Sequence, residues 1–350
     1  MNNSMHTFLQ SIGAHLGTGD DCTCADEPNA LDALTAQNII VPLSHYGMLE
    51  VRGPEAEKFL QGQITCSATE VTPKLSSPGA YCTAKGRVVA SFQLLRPQSD
   101  LFLLRMRGDL LDIAARTFGK YIVFSKAKLA IAEPIIGIGL HGSLIGSVLC
   151  ELIGALPAQQ NGTVSYGDGL LLQCDAAGTQ YEFWGPAAAA GALWSHCAPR
   201  CAAIGSRYWR WLQIRSGNAE IRAATSEMFL PHMLNYHATG AVNFKKGCYT
   251  GQEIVARTHY RGQVKRHLLR AALTGSAPAA GSDIADSSGK IVGNVVDSVA
   301  VSTETAELLA VVAAAASENT APENKSADAP TILCSGGAEL RPLALPYAIP

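Results

Sequence analysis

The sequence predicts an α+β fold, and three observations carry that expectation. The order strand, glycine turn, amphipathic helix occurs twice, at 49–60 and again at 135–153. From Leu273 onward, short alternating strands follow one another around turns. Hydrophobic residues make up 47% and charged residues 16% of 350 positions, enough for two or three domains with a sizeable buried core.

Residues 1–37 are polar and acidic, broken by glycine and proline, and read as a partly mobile N-terminal arm. The ordered body starts near Ile39, and a strand follows at 49–51. Gly53-Pro54 then starts a helix that places Ala56, Phe59, Leu60 and Ile64 on one face. Strands are expected at 87–96 and 101–106, the second running into a helix that ends near Phe118. The 135–153 unit echoes 49–60, which indicates duplication. Its glycines do not follow the order of a phosphate cradle, and no acid stands about 20 residues on, so they read as sites of close packing. A strand at 181–186 precedes an alanine-rich helix at 187–197. Strands at 291–299, 308–312 and 331–334 suit a small β-barrel interrupted by a flexible insert at 313–330. The expected divisions are therefore 1–37, 38–270 and 271–350.

A net charge of -2 argues against a dedicated nucleic-acid binder, although the charge is uneven. No Lys or Arg occurs in the first 51 residues, whereas seven occur between 245 and 270. The ten cysteines follow no disulfide framework, which points to a reducing compartment, the cytoplasm. No apolar run is long enough to span a membrane. His196, Cys197 and Cys201, like Cys22 and Cys24, lack a second ligand pair, so no permanently bound metal is expected.

The densest chemistry lies at Lys245-Lys246-Gly247-Cys248-Tyr249-Thr250-Gly251-Gln252-Glu253. Gly247 and Gly251 permit sharp turns that lift Cys248 outward. Lys245, Lys246 and Arg257 favour its thiolate, the nucleophilic and iron-binding form, and Glu253 is placed to orient one of these cations.

The run from Lys246 through Glu253, with Ala256-Arg257, Arg261-Gly262 and Lys265-Arg266 after it, resembles the signature of the YgfZ family. These are folate-binding relatives of the glycine-cleavage T-protein, implicated in iron–sulfur cluster maintenance and tRNA modification. Weaker resemblance runs from Val51-Arg52-Gly53 and 59–65 through Lys85-Gly86-Arg87 and 231–235 to the C-terminal strands. It implies a ring of α+β, partly ferredoxin-like lobes around a central folate-sized opening, with a C-terminal β-barrel. It also implies tetrahydrofolate or a derivative as cofactor, with Tyr46 and Trp209 stacking on the pterin and Arg257 and Arg261 at the glutamate tail. Cys248 becomes the functional thiol, supported by Lys246 and Glu253 and shaped by Gly247, Tyr249, Gly251 and Gln252. The implied partners are iron–sulfur enzymes or cluster-assembly proteins, with no membrane and only an indirect link to tRNA.

Two other readings compete. The first is a tetrahydrofolate-dependent aminomethyltransferase, but the acidic pair that serves the T-protein is replaced here by Ala90 and Ser91, which cannot supply a carboxylate. The second is a tRNA-binding module using the basic run interleaved with Tyr249, His259 and Tyr260. Arg215-Ser216-Gly217 reverses a charge that relatives carry as Glu, which bears on pterin recognition.

Overall fold

The computed structural model describes residues 3–17, 21–24, 27–132, 135–262, 264–313, 332–334 and 337–349. The α+β expectation holds, and the chain divides into two compact units. Unit 1 comprises Met1–Gln61, Ser67–Pro78 and Phe92–Trp209, and unit 2 comprises Gly62–Cys66, Gly79–Ser91 and Arg210–Pro350.

In unit 1 a six-stranded sheet runs in the order Thr163–Tyr166, Gly169–Gln173, Gln180–Gly185, Ile136–His141, Ile39–Pro42, Ala202–Ala203. The helices Asn3–Ser11, Ile145–Ile153 and Ala187–Cys197 share a core with it, in which Phe8 meets Trp194 edge to face at 5.8 Å. The first of these helices lies within the expected N-terminal arm. Met5, Phe8 and Leu9, spaced three and four apart, give it a helical apolar stripe, and all three are buried. Glycines in the central strand make room for large rings, as anticipated. A Cβ on Gly137 would fall 2.3 Å from Trp184, and one on Gly139 would fall 2.5 Å from Trp209.

A second sheet has the order Ser77–Cys82, Val88–Gln98, Leu101–Arg107, Tyr46–Arg52, Lys128–Ile131. Helices Ala56–Gln61 and Leu111–Ile122 flank its unit 1 strands, with Phe59 and Phe118 in contact at 6.1 Å. The duplication read from sequence has a backbone signature. Gly53 and Gly142, at the two strand-to-helix turns, both hold φ at +143° with no room for a side chain.

Unit 2 carries an antiparallel six-stranded sheet in the order Ile332–Cys334, Asp283–Asp286, Ile291–Ala300, Thr305–Ala313, Arg266–Thr274, Leu340–Leu343. It curls into a half-barrel, in keeping with the small β-barrel expected there. Its first strand also starts earlier than the change of texture at Leu273 indicated. A concave core of Ala271, Leu273, Ile284, Val295, Leu308 and Val312 fills it. Where the register shifts, Asp297 accepts hydrogen bonds from Arg210 and Arg222, each at 3.2 Å. Of the expected insert at 313–330, only Ala313, the last residue of a strand, lies among the described residues. No helix among the described residues is long and apolar enough to cross a membrane.

The shared turn geometry is testable by denaturant unfolding. Gly142→Ala is expected to lose about 1–3 kcal/mol of stability, whereas Gly191→Ala, inside a helix with open space around it, is expected to be neutral or to gain up to about 1 kcal/mol.

Candidate functional site

In unit 2, Cys248 lies on an exposed loop that ends at the helix Gln252–Arg261. The chain prepares that loop at Asn243, whose Oδ1 accepts from the amides of Lys245 and Lys246 at 2.8 and 3.1 Å, an Asx turn. The Lys246 ammonium then reaches back to donate to the carbonyls of Ile64 and Cys66 at 2.7 and 2.8 Å, and stands 5.1 Å from the Tyr249 ring centre. The structure thus gives Lys246 a clamping position. Tyr249 is buried, and burial pushes its phenol well above the ordinary value. Its amide donates to Gln252 Oε1 at 3.3 Å, while the Gln252 amide donates back to the Tyr249 carbonyl at 3.1 Å. The second of these bonds occupies the first donor that the helix start leaves open.

Gly251, at φ +83°, backs onto Gly86, at φ +71°. A Cβ on Gly251 would sit 2.4 Å from the Thr83 carbonyl and 3.2 Å from the Gly86 Cα. The motif therefore locks into the 83–87 turn through bare backbone. Gly247 differs, because a Cβ there would meet nothing. Glu253 is exposed in the first helical turn, where a carboxylate suits the helix dipole. Arg257 and Arg261 are exposed one turn apart on the same helix. Beneath the loop, burial drives the Cys82 thiol up to about 12, so it stays protonated and inert while Cys248 is open to partners.

The helix also carries His259, stacked on Phe244 at 3.8 Å and 13°, with His232 Nε2 3.4 Å from His259 Nδ1. His237 stacks on His232 at 4.9 Å. Burial, then the neighbouring His237 and His259, lowers the His232 pKa to about 4. Among the described residues no group of three or more His, Cys, Asp or Glu is arranged to hold a metal.

The positions that replace the T-protein's acidic pair carry no carboxylate. Ala90 is fully buried and Ser91 Oγ accepts from the Ile221 amide at 2.9 Å. Arg215, at the end of the helix Ser206–Arg215, stands over the Trp211 ring at 4.7 Å.

In unit 1, Tyr46 is buried among charges. The Arg105 guanidinium lies 4.2 Å and that of Arg107 5.7 Å from its ring centre. Arg105 pairs with Glu182 at 3.2 Å, and the Trp184 indole donates to the same carboxylate oxygen at 2.8 Å. Trp184 meets Tyr46 edge to face at 6.1 Å. Arg107 is 3% exposed, and its Nε and Nη1 have no hydrogen-bond partner among the described residues. Leaving charged donors unpaired this far inside is costly, and such groups are commonly retained for a ligand. Trp209, expected beside the pterin, is fully enclosed against Gly139. Arg105, Arg107 and Glu182 escaped the sequence reading. Their signal was charge inside otherwise apolar strands, at alternate positions for Arg105 and Arg107 and as a single acid for Glu182.

No family model matches the chain. Two curated proteins called tRNA-modifying protein YgfZ, from Escherichia coli O17:K52:H18 (strain UMN026 / ExPEC) and Escherichia coli (strain SMS-3-5 / SECEC), are each similar at 32% identity over 248 residues. The match covers 70% of this chain and 75% of theirs. The crystal structure of glycine cleavage system aminomethyltransferase T from Bartonella henselae shares the fold, with a TM-score of 0.73 over 99% of this chain and 98% of that one at 15% identity.

The neutral His232 gives a pH signature. The unfolded chain binds its proton near the ordinary value of 6.5 and the folded chain only near 4, so stability is full above 6.5 and lost as pH falls through that window. Urea midpoints measured from pH 7 to 4 should show a loss of up to about 3 kcal/mol, and His232→Gln should flatten it.

Proposed function

This chain belongs to the YgfZ family, and on that premise we propose that it is a folate-binding accessory protein that supports iron–sulfur enzymes, including those that modify tRNA, through the Cys248 thiol. What supports the reading most is the likeness to YgfZ proteins along 70% of the chain, over a fold shared with a T-protein. Residues 38–270 form the folate-binding part in this reading, and 271–350 the appended β-rich part.

The side chains around Tyr46 fit a pteridine chemically. A pteridine presents an aromatic face, for which Tyr46 is suited. Its amino and ring N–H donors match a carboxylate such as Glu182, and its oxygen matches the open donors of Arg107. When bound, tetrahydrofolate supplies a carrier for one-carbon units. Arg105 pairs with Glu182 and orients it, and the Trp184 indole donates to the same carboxylate oxygen.

At the thiol, the chain's work is presentation. Lys246, Gly251 and Gln252 hold the loop, so Cys248 reaches solvent without collapsing onto the core. A thiolate there can engage iron, a sulfane sulfur or a client cysteine. The transferase reading is set aside, because Ala90 and Ser91 give no carboxylate for proton transfer.

Calorimetry should detect tetrahydrofolate binding by the wild-type chain, and Arg107→Gln should weaken it about tenfold or more. Cys248→Ala should fold and bind folate normally yet fail to restore a cluster-dependent tRNA-thiolating enzyme in cells lacking the native protein. Full restoration by Cys248→Ala would sink the thiol's role, and absence of folate binding would sink the cofactor.

A further inference from the structure

The helix Gln252–Arg261 presents a face that the thiol chemistry does not use. Tyr260 is 68% exposed, one of the most exposed large rings among the described residues. Exposed single aromatics are common and usually mean nothing. This one is backed. Its ring meets His259 edge to face at 4.8 Å and 76°, and His259 lies flat on Phe244 at 3.8 Å. Phe244 and His259 in turn contact the buried His232, at 5.9 and 5.6 Å between ring centres. The outer aromatic is thus the end of a ladder of rings footed in the core, so its orientation is set before any ligand arrives.

Arg257, Tyr260 and Arg261 fall three and four residues apart, on one side of the helix, and Lys265 follows, with all four side chains exposed. From 245 to 270 the only acid is Glu253, against seven cations. Glu253 lies one turn before Arg257 on the same side, so three cations and one acid accompany the aromatic. A predominantly basic face with a pre-oriented aromatic has the two parts that single-stranded nucleic acids require, cations for the phosphates and a platform for a base.

We propose that this face binds single-stranded RNA directly, with a base stacked on Tyr260 and the flanking phosphates on Arg257, Arg261 and Lys265. This departs from the sequence expectation of an indirect link to tRNA. The choice of RNA over DNA rests on the reading that the chain serves tRNA-modifying enzymes; the stacking and the charge do not. An acidic membrane surface would also meet the cations, but it gives a single upright ring little apolar area to bury.

The test is fluorescence anisotropy of the full chain with a labelled 12-nucleotide unstructured RNA across a salt series. The wild type should bind, with log K falling linearly in log salt. Tyr260→Ala should weaken binding about five- to hundredfold, the range of one lost stacking contact, without changing the salt slope. Tyr260→Phe should retain affinity. Lys265→Gln should lower the slope by about 0.7. Absence of RNA binding at low salt, equal affinity of Tyr260→Ala, stronger binding to the same sequence as DNA, or comparable binding to vesicles of phosphatidylserine would each overturn the proposal. Tetrahydrofolate calorimetry on Tyr260→Ala separates the two readings. Folate affinity should be kept while RNA affinity is lost, whereas a chain that binds RNA but no folate would reject only the cofactor.

Discussion

An ammonium held by two main-chain carbonyls fixes the loop that carries Cys248. Lys246 donates to Ile64 and Cys66, which lie some 180 positions earlier in the chain. Charged donors on neutral carbonyls are among the stronger hydrogen bonds, each contributing about 1.5–3 kcal/mol when enclosed. A long lysine side chain gives up rotamer freedom to make them, and the Tyr249 ring beside it helps to hold that geometry. Once Lys246 is placed, the Gly251 and Gly86 backbones can meet without side chains between them, and the following helix starts with its first donor occupied. The motif is therefore mostly scaffold, and its outward nucleophile is the thiol.

The second constraint is electrostatic and belongs to unit 1. Glu182 is 0% and Arg105 6% exposed, so neither can lean on water for its charge. They solve this jointly, with the Trp184 indole as a third member. Buried ion pairs of this kind contribute little net stability, while loss of one partner costs about 3–5 kcal/mol. Their retention is better understood as orientation of polar atoms around Tyr46 than as reinforcement of the fold. The open donors of Arg107 point the same way, since a chain selected only for stability would have an apolar residue there.

Much of this was legible in the residues. The helix at Ala187–Cys197 and the strand at Gln180–Gly185 followed from an alanine run and from alternation next to Gly-Pro. The glycines at 137 and 139 read correctly as packing sites, because their order did not match a phosphate loop. The helix Asn3–Ser11 was hidden by the polar composition around it, although Met5, Phe8 and Leu9 carried the spacing. The barrel-like C-terminal sheet was legible in its strand density, while how far it curls depends on strand tilt and register, which short alternating segments do not encode. The burial of Trp209 was not legible, because burial is a tertiary property that one tryptophan cannot reveal. The loop that carries Cys248 was legible as well, because Gly247 and Gly251 mark turns around an exposed thiol.

Gly247 gives the loop a property that the other glycines lack. Gly251 and Gly86 are dictated by the chain's own backbone, whereas a Cβ at 247 would meet nothing. The protein thus leaves room for a methyl at that position, and a bar to alanine there would come from whatever approaches the neighbouring sulfur. Natural variation at 247 is in effect an imprint of the visitor's shape. Tolerance of bulky residues would mark a small diffusible sulfur or iron species, while intolerance would mark a broad protein surface that has to lie flat against the loop.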